Sequence, residues 1–257
     1  MALEYVDVEA GRAASGTRIV TSGILPSPWS EATKGVFTVA DVAARVVGKT
    51  RANGDAVNAW TGIDNVPVVL HEGEPVRTNW AAIVGLAGRL GPPDTIVPSD
   101  PRARTHLMGL LELVAGEQGL GWLARLTMIQ TGFDTKGERG FTLPVAGYLA
   151  KRYGHTATVS IAEVRARIAE QLAVLRAELG DRTYFGGERP SALDVYAATF
   201  LTPLSVIDDT VCAQITDLGR RAFASSQEAV ADLVAPELWA HRNRMFERHL
   251  AWPLQLY

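Results

Sequence analysis

Residues 65–83 form the segment of the sequence best suited to binding a ligand. Pro67 follows Val66 at the start of an apolar run, and a turn at Gly73 precedes a second short run. Because proline lacks a main-chain N–H, Pro67 suits the start of an edge strand, and the Val66–Pro67 bond can be cis at modest cost. A ligand with a peptide backbone would pair with this open edge as a short added strand. The alternative is that Pro67 simply begins an edge strand.

The start of the next predicted helix offers groups for a polar ligand. Unpaired N–H groups at a helix N-terminus favour anions. Arg77 and Thr78 could serve an anionic ligand, and Asn79 can hydrogen-bond an amino group. Trp80 supplies a main-chain N–H and a large indole, whose alternative role is to pack an interface between domains.

A serine stands at another predicted helix start. Ser27 occupies the N-cap position, followed by Pro28 and Trp29 in the first turn. The positive end of the helix dipole would stabilise a bound anion there, and the hydroxyl adds one more donor. The alternative is that Ser27 only caps its helix. Ser22 and Ser30 are weaker candidates by position.

The sequence does not support several other kinds of chemistry. The 5 histidines lack the spacing of metal ligands, so we predict no metal site. Cys212 is the single cysteine, which excludes an internal disulfide, and its apolar neighbours predict an inert core thiol. The net charge of −3 gives no reason to expect nucleic acid. No apolar run approaches the ~20 residues that span a bilayer, so we expect no membrane partner.

The first 90 residues alternate between strand and helix patterns, which predicts a mixed four-stranded sheet flanked by helices. The predicted elements are a strand at 18–21, a helix at 28–40, a strand at 44–47, a helix at 54–60, two strands around Pro67 and Gly73, and a helix at 80–90. Prolines then interrupt the chain, so we predict a linker at residues 91–98 between domains 1–90 and 99–257.

Residues 99–257 predict an all-helical domain. Ser160 and Glu163 form a capping box before an apolar stripe that ends at Gly180, and Ser191 and Asp194 form a second box before an apolar helix. Residues 101–130 predict one long or broken helix, which glycines interrupt. The segment 131–155 is too long for a loop between helices, which predicts a lid or an extra helix.

Taken together, these parts resemble the glutathione S-transferase superfamily, in a non-standard, bacterial-type form. The resemblance rests on the Val-Pro strand-turn-strand-helix order at 66–83, the proline-rich connector and the Ser-x-x-Asp box at 191–194. It covers nearly the whole chain. It implies an α+β protein with two domains, an N-terminal thioredoxin-like domain with a mixed four-stranded sheet and a C-terminal all-α domain.

The resemblance implies roles in binding glutathione. Ser27 would be the catalytic residue that activates the thiol, with Trp29 beside it. Val66 and Pro67 would hold the cysteinyl part of glutathione through the main chain.

The γ-glutamyl part would bind at the next helix start. The family usually has Glu or Gln and then Ser there, and this chain has Asn79 and Trp80. Together with Arg77 and Thr78, these residues would form an altered pocket.

The resemblance also places the helix after the glycine-rich stretch against the cleft. Glu117, Trp122 and Arg125 would then line a pocket for the second substrate. The alternative is a kinked core helix whose Glu and Arg are solvated.

The implied function is glutathione transfer to an apolar electrophile by a cytoplasmic homodimer that uses glutathione as its co-substrate and no metal. Two alternatives stay open. One is a non-catalytic binding or scaffold protein with a degenerate glutathione site, which Asn79 and Trp80 favour. The other is a thiol-dependent isomerase or ether-cleaving enzyme.

Overall fold

The computed structural model describes residues 3–156 and 159–257. Its N-terminal part contains a mixed sheet in the spatial order β1-β3-β2-β4. Strand β3 runs parallel to both β1 and β2, and β4 runs antiparallel to β2. The predicted mixed four-stranded sheet is therefore confirmed. The strands are β1 (Leu3–Tyr5), β2 (Thr17–Ser22), β3 (Ala44–Lys49) and β4 (Val68–His71).

The strands alternate between two apolar faces. Ile19, Val46 and Val69 face the main core, whereas their neighbours Val20, Val47 and Val68 form a smaller cluster on the other side of the sheet. Both faces are covered by helices. The helices of this part are α1 (Val8–Ala13), α2 (Pro28–Val39), α3 (Gly54–Thr61) and α4 (Trp80–Leu90).

The fourth strand is not the one that the sequence predicted. After the turn at Gly73 (φ +66°), only Arg77 pairs with β4, through a single bridge to Val69. Pro75 lacks an N–H, and α4 begins only three residues after Arg77, so no second strand develops. The fourth strand is instead β1, which the sequence analysis missed together with α1.

Helices make up the rest of the described chain. The segment between α6 and α8 contains an additional helix, α7, which confirms that 131–155 is more than a loop. The predicted long or broken helix at 101–130 consists of two helices, which are separated by residues 116–119. The helices are α5 (Pro101–Ala115), α6 (Leu120–Asp134), α7 (Leu143–Arg152), α8 (Ile161–Leu179), α9 (Ala192–Leu201), α10 (Asp217–Val230) and α11 (Pro236–Arg248).

Helix α9 lies at the centre of the molecule, with every residue buried. It packs against α2 of the N-terminal part and against α5 and α11. The buried carboxylate of Asp194 accepts hydrogen bonds from the main-chain N–H groups of Phe185 (2.7 Å) and Ser191 (2.7 Å), so the predicted second capping box is present. His241 Nε2 lies 2.8 Å from the same carboxylate.

The segment between α4 and α5 is anchored to the helical part of the chain at Ile96. Ile96 is buried, and its carbonyl oxygen accepts the N–H of Ala192 at 3.0 Å. This contact joins the segment to the first turn of α9. We propose that residues 91–98 form the linker between the two parts of the chain.

Candidate functional site

Two adjoining clefts open around the start of α2. The first has a volume of about 520 Å³ and lies between α2, residues 65–67, the start of α4 and the break between α5 and α6. The second has a volume of about 380 Å³ and lies between the same part of α2, the end of β3 and helix α7. The clefts share five lining residues, namely Ser27, Asn65, Val66, Arg152 and Tyr153.

Ser27 is placed at the junction of the clefts with an unengaged hydroxyl. It is the N-cap of α2, and its carbonyl oxygen accepts the N–H of Glu31 at 2.9 Å. Its side chain makes no capping hydrogen bond. The interpretation of Ser27 as a simple side-chain cap is therefore wrong. The hydroxyl can serve a bound molecule together with the N-terminal N–H groups of α2.

The two neighbouring serines are already used by the protein. Ser22 is buried, and its hydroxyl oxygen accepts the N–H of Leu25 at 3.3 Å. Ser30 is also buried and accepts the N–H of Ser22 at 3.1 Å. These bonds hold the loop that carries Ser27 and leave Ser27 as the serine that faces both clefts.

The main chain at Val66 is unpaired. The Val66–Pro67 peptide bond is cis, and both residues line the first cleft. Neither the N–H nor the C=O of Val66 is hydrogen-bonded to main chain within residues 3–156 and 159–257. An extended peptide can therefore pair with this residue without displacing a strand of the protein.

The start of α4 forms another wall of the first cleft. Thr78 is exposed there, whereas the side chain of Asn79 accepts the N–H of Ala81 at 2.8 Å and caps the helix. Trp80 lines the cleft and also packs edge-on against Tyr196 of α9, with 6.4 Å between ring centroids. The indole thus joins the two halves of the molecule and leaves the cleft open beside Val66.

Arg77 does not join these residues. Its guanidinium pairs with Glu74 at 2.5 Å, its main chain pairs with Val69, and it is not among the residues that line either cleft. In extended chain, neighbouring side chains point to opposite sides, so Thr78 faces the cleft and Arg77 faces away.

Aromatic side chains close the first cleft on the helical side. Trp29 donates its indole N–H to the carbonyl of Ala115 at 3.0 Å and packs against Phe200 at 4.9 Å. Trp122 donates to the carbonyl of Tyr153 at 3.1 Å and packs against its ring at 4.7 Å. Both tryptophans line the cleft, in positions fixed by these bonds.

Glu117 and Arg125 line different clefts. Glu117, in the break between α5 and α6, is exposed on the rim of the first cleft. Arg125 lies on α6 and lines the second cleft, where its guanidinium carbon is 5.3 Å from the ring centroid of Phe141. The alternative of a solvated arginine is wrong, because Arg125 is buried.

Several lining residues escaped the sequence analysis. Arg152 and Tyr153 end helix α7 and face both clefts, and Glu112 of α5 lines the first. The unusual length of the 131–155 segment was the available signal. Lys49, at the end of β3, lines the second cleft, and partial burial lowers its pKa against the opposing effect of Asp64.

No group of histidine, cysteine and acidic side chains suited to a metal ion occurs in the two described stretches of the chain. Within the same residues, no helix has the length and apolar character needed to cross a membrane. The lining residues at the junction of the clefts offer a hydroxyl, main-chain N–H groups, aromatic rings and a few charged side chains.

Comparisons with known proteins agree with this architecture. Residues 158–244 match the family model described as "Glutathione S-transferase, C-terminal domain". No curated protein sequence matches the chain.

Solved structures match over nearly the whole length. A glutathione S-transferase from Xanthobacter autotrophicus is 15% identical, with a TM-score of 0.58, covering 93% of this chain and 98% of that one. The enzyme from Methylobacterium radiotolerans, in complex with glutathione sulfonate, is 17% identical, with a TM-score of 0.56 and coverages of 94% and 97%. A rice enzyme in complex with glutathione is 18% identical, with a TM-score of 0.57 and coverages of 93% and 93%. The chain thus has the fold of glutathione S-transferases, and its residues 158–244 match the C-terminal domain of that family.

Proposed function

We propose that this protein binds glutathione in the first cleft and activates its thiol for attack on an apolar electrophile held in the second cleft. The observation that carries the proposal is the position of Ser27. Its unengaged hydroxyl lies where the two clefts meet, at the N-terminus of a twelve-residue helix. Structural neighbours that contain glutathione or its sulfonate support the choice of thiol.

The lining of the first cleft suits the parts of the peptide. The cysteinyl main chain pairs with the N–H and C=O of Val66. Thr78 and the first N–H groups of α4 receive the γ-glutamyl carboxylate, since they are donors at a helix N-terminus. Glu112 and Glu117 provide negative charge for the γ-glutamyl ammonium group, and Arg152 provides positive charge for the glycyl carboxylate.

The chemistry follows from this placement. The Ser27 hydroxyl donates a hydrogen bond to the sulfur, and the dipole of α2 further favours the anion, so the thiol loses its proton to water near neutral pH. The thiolate attacks the electrophilic carbon in the second cleft. In a substitution the leaving group departs with the electron pair of the broken bond, and in an addition the resulting carbanion takes a proton.

Removing the hydroxyl tests the assignment. Ser27→Ala should lower kcat/KM for a glutathione-dependent substitution by about 10²-fold, the usual effect of deleting one donor to a reacting anion. Ser15→Ala is the matched control, because Ser15 is exposed and lies outside both clefts. Equal rates for the two variants would overturn the role of Ser27.

A non-catalytic binding protein on the same fold is the second candidate. One observation favours it. The side chain of Asn79 is occupied by capping α4 and the indole of Trp80 by packing on Tyr196, so neither repeats the Glu/Gln-Ser pair that is usual at this helix start. Calorimetric titration with glutathione, followed by assays on several electrophiles, separates the candidates. Glutathione binding without turnover of any electrophile supports this one.

We also propose that the protein is a homodimer, as the family resemblance implies. Light scattering of the purified chain should then give about twice the chain mass. A monomeric mass at micromolar concentration would contradict this and leave the clefts, which lie within one chain, unaffected.

A further inference from the structure

Arg125 carries a buried charge that the protein itself does not neutralise. The residue is only 7% exposed. Its nearest partners are the sulfur of Met128, 3.6 Å from Nη1, and the face of the Phe141 ring. No carboxylate of the described residues lies within ion-pair distance of its guanidinium. A buried cation without a counter-charge is costly, so its surroundings favour an anion.

Arg125 lines the second cleft together with Phe141, the ring that its guanidinium contacts. By contrast, Arg242, another largely buried arginine, lies among three aromatic rings and lines none of the clefts around Ser27. Because a guanidinium presents its N–H donors in a planar fork, its natural ligand is a carboxylate bound through both oxygens.

Most of the other charged side chains that line the second cleft are also positive. Lys49, Arg51 and Arg152 line it along with Arg125, against the single carboxylate of Asp64. Lys49 is held by the side-chain oxygen of Asn58 (2.6 Å) and the carbonyl of Asp64 (2.5 Å). The cleft therefore has an excess of positive charge, which concentrates anions there.

The rest of the wall is apolar. Leu25, Phe141, Val145 and Leu149 line the cleft, and the exposed side chain of Ile24 stands at its mouth. An apolar wall with one buried cation selects a molecule that has an apolar body and one anionic end.

We propose that the electrophile of this protein is an apolar molecule that carries a carboxylate, and that Arg125 binds this carboxylate. The inference rests on the proposed function in naming the ligand an electrophile. The binding preference itself belongs to the second cleft and can be measured without glutathione.

The test compares two ligands of the same shape. Calorimetry at pH 7 with 4-butylbenzoate and 4-butylbenzamide measures what the negative charge adds. We expect the acid to bind at least tenfold more tightly, and Arg125→Gln to remove that preference. Arg125→Lys keeps a positive charge and should retain part of it. Equal binding of acid and amide, binding of neither, or a preference unchanged in Arg125→Gln would overturn the proposal.

Two features keep the result decisive. If Arg125→Gln does not fold, the comparison of acid and amide on the unaltered protein, together with Arg125→Lys, still decides. A preference for the acid in a protein that fails to bind glutathione would overturn the proposed function and leave the carboxylate site standing.

Enzyme kinetics tests whether the carboxylate site also binds the reacting electrophile. 2-Chloro-1,3-dinitrobenzene and 4-chloro-3,5-dinitrobenzoate differ by a carboxylate, and each rate is divided by the uncatalysed rate with glutathione. We expect a lower KM for the benzoate, a smaller advantage in Arg125→Lys and loss of the advantage in Arg125→Gln. A KM that is equal for the two electrophiles would contradict the assignment.

Discussion

At the scale of single residues, the account depends on a hydroxyl that the fold leaves free. Ser27 stands where a capping side chain is expected. The hydroxyls of Ser22 and Ser30 make the local hydrogen bonds, whereas the hydroxyl of Ser27 makes no capping bond. A donor at this place stabilises the thiolate over the thiol and so lowers the pKa of bound glutathione.

The pH dependence of turnover measures this effect. Because kcat rises as the bound thiol loses its proton, its pH profile reports the pKa in the complex. We predict that Ser27→Ala moves this rise to higher pH by about one unit or more, since one charge-assisted hydrogen bond contributes about 1.5–3 kcal/mol. The profile of Ser15→Ala should coincide with that of the unaltered protein. Coincidence of the Ser27→Ala profile as well would contradict the role of the hydroxyl.

Cys212 illustrates the opposite case, a thiol that the fold makes unreactive. It is fully buried, and burial raises its pKa. We predict that a disulfide reagent such as 5,5′-dithiobis(2-nitrobenzoate) leaves Cys212 unmodified in the native protein and titrates one thiol after denaturation. Rapid modification of the native protein at pH 8 would show that the α9–α10 region opens.

At the scale of elements, helix α2 contains a buried ion pair whose lysine also binds the C-terminal tail. Lys34 lies 2.8 Å from the carboxylate of Glu31, and both side chains are buried. The Lys34 ammonium also donates to the carbonyl of Gln255 in the C-terminal tail, at 2.6 Å. Burial raises the pKa of Glu31 despite the nearby ammonium, so this carboxylate depends on Lys34 to stay ionised.

Removing one partner should cost more than removing both. Lys34→Met leaves the Glu31 carboxylate uncompensated, and we predict a loss of about 3–5 kcal/mol in the free energy of unfolding at pH 7. The folded-state pKa of Glu31 then lies further above its unfolded value, so the loss becomes smaller as the pH falls and Glu31 takes up a proton.

Denaturant unfolding checks this sign. The double variant Glu31→Gln, Lys34→Met should be more stable than Lys34→Met alone at pH 7. A loss that is the same at pH 5 and pH 7 would show that Glu31 is not the group left uncompensated.

The two capping boxes of the sequence differ in what they support. Asp194 is fully buried and accepts N–H groups from Phe185, Gly186 and Ser191. Ser160 stands at a half-exposed helix start and accepts one, from Glu163 at 3.5 Å.

We predict that Asp194→Ala lowers the free energy of unfolding by about 3–5 kcal/mol, because several buried donors lose their acceptor. Ser160→Ala should cost about 1 kcal/mol, the usual value of an N-cap. Thermal unfolding of the two variants side by side measures the difference, and equal losses would contradict the central role assigned to the start of α9.

At the scale of the whole molecule, the sequence predicts the order of the helices and strands better than it predicts their bounds. Strong local signals hold: strands β2 and β3, the proline that begins α2, the Ser160 cap of α8 and the capping box of α9 all appear in the fold. Strand β1 was missed because three residues beside acidic ones give no periodicity. Strand β1 forms by pairing with β3, and its own sequence gives no sign of this pairing.

The site shows the same division. The open edge at Val66 follows from the imide chemistry of Pro67 and could be predicted. The positions of the Arg77 and Arg125 side chains could not be predicted. Arg77 lies away from the clefts and Arg125 lines the second cleft because of the direction in which each side chain leaves its backbone. The second cleft also depends on helix α7, for which the sequence showed only an unusually long segment. The junction at Ser27 exists only when α2 and α7 are brought together by the fold.

The most direct test of the account is a crystal structure of the protein with S-hexylglutathione. We predict that its cysteinyl main chain is hydrogen-bonded to the N–H and C=O of Val66, with the sulfur within hydrogen-bonding distance of Ser27 Oγ and the hexyl chain in the second cleft. A bound peptide that leaves Val66 unpaired, or a sulfur placed away from Ser27, would contradict the account.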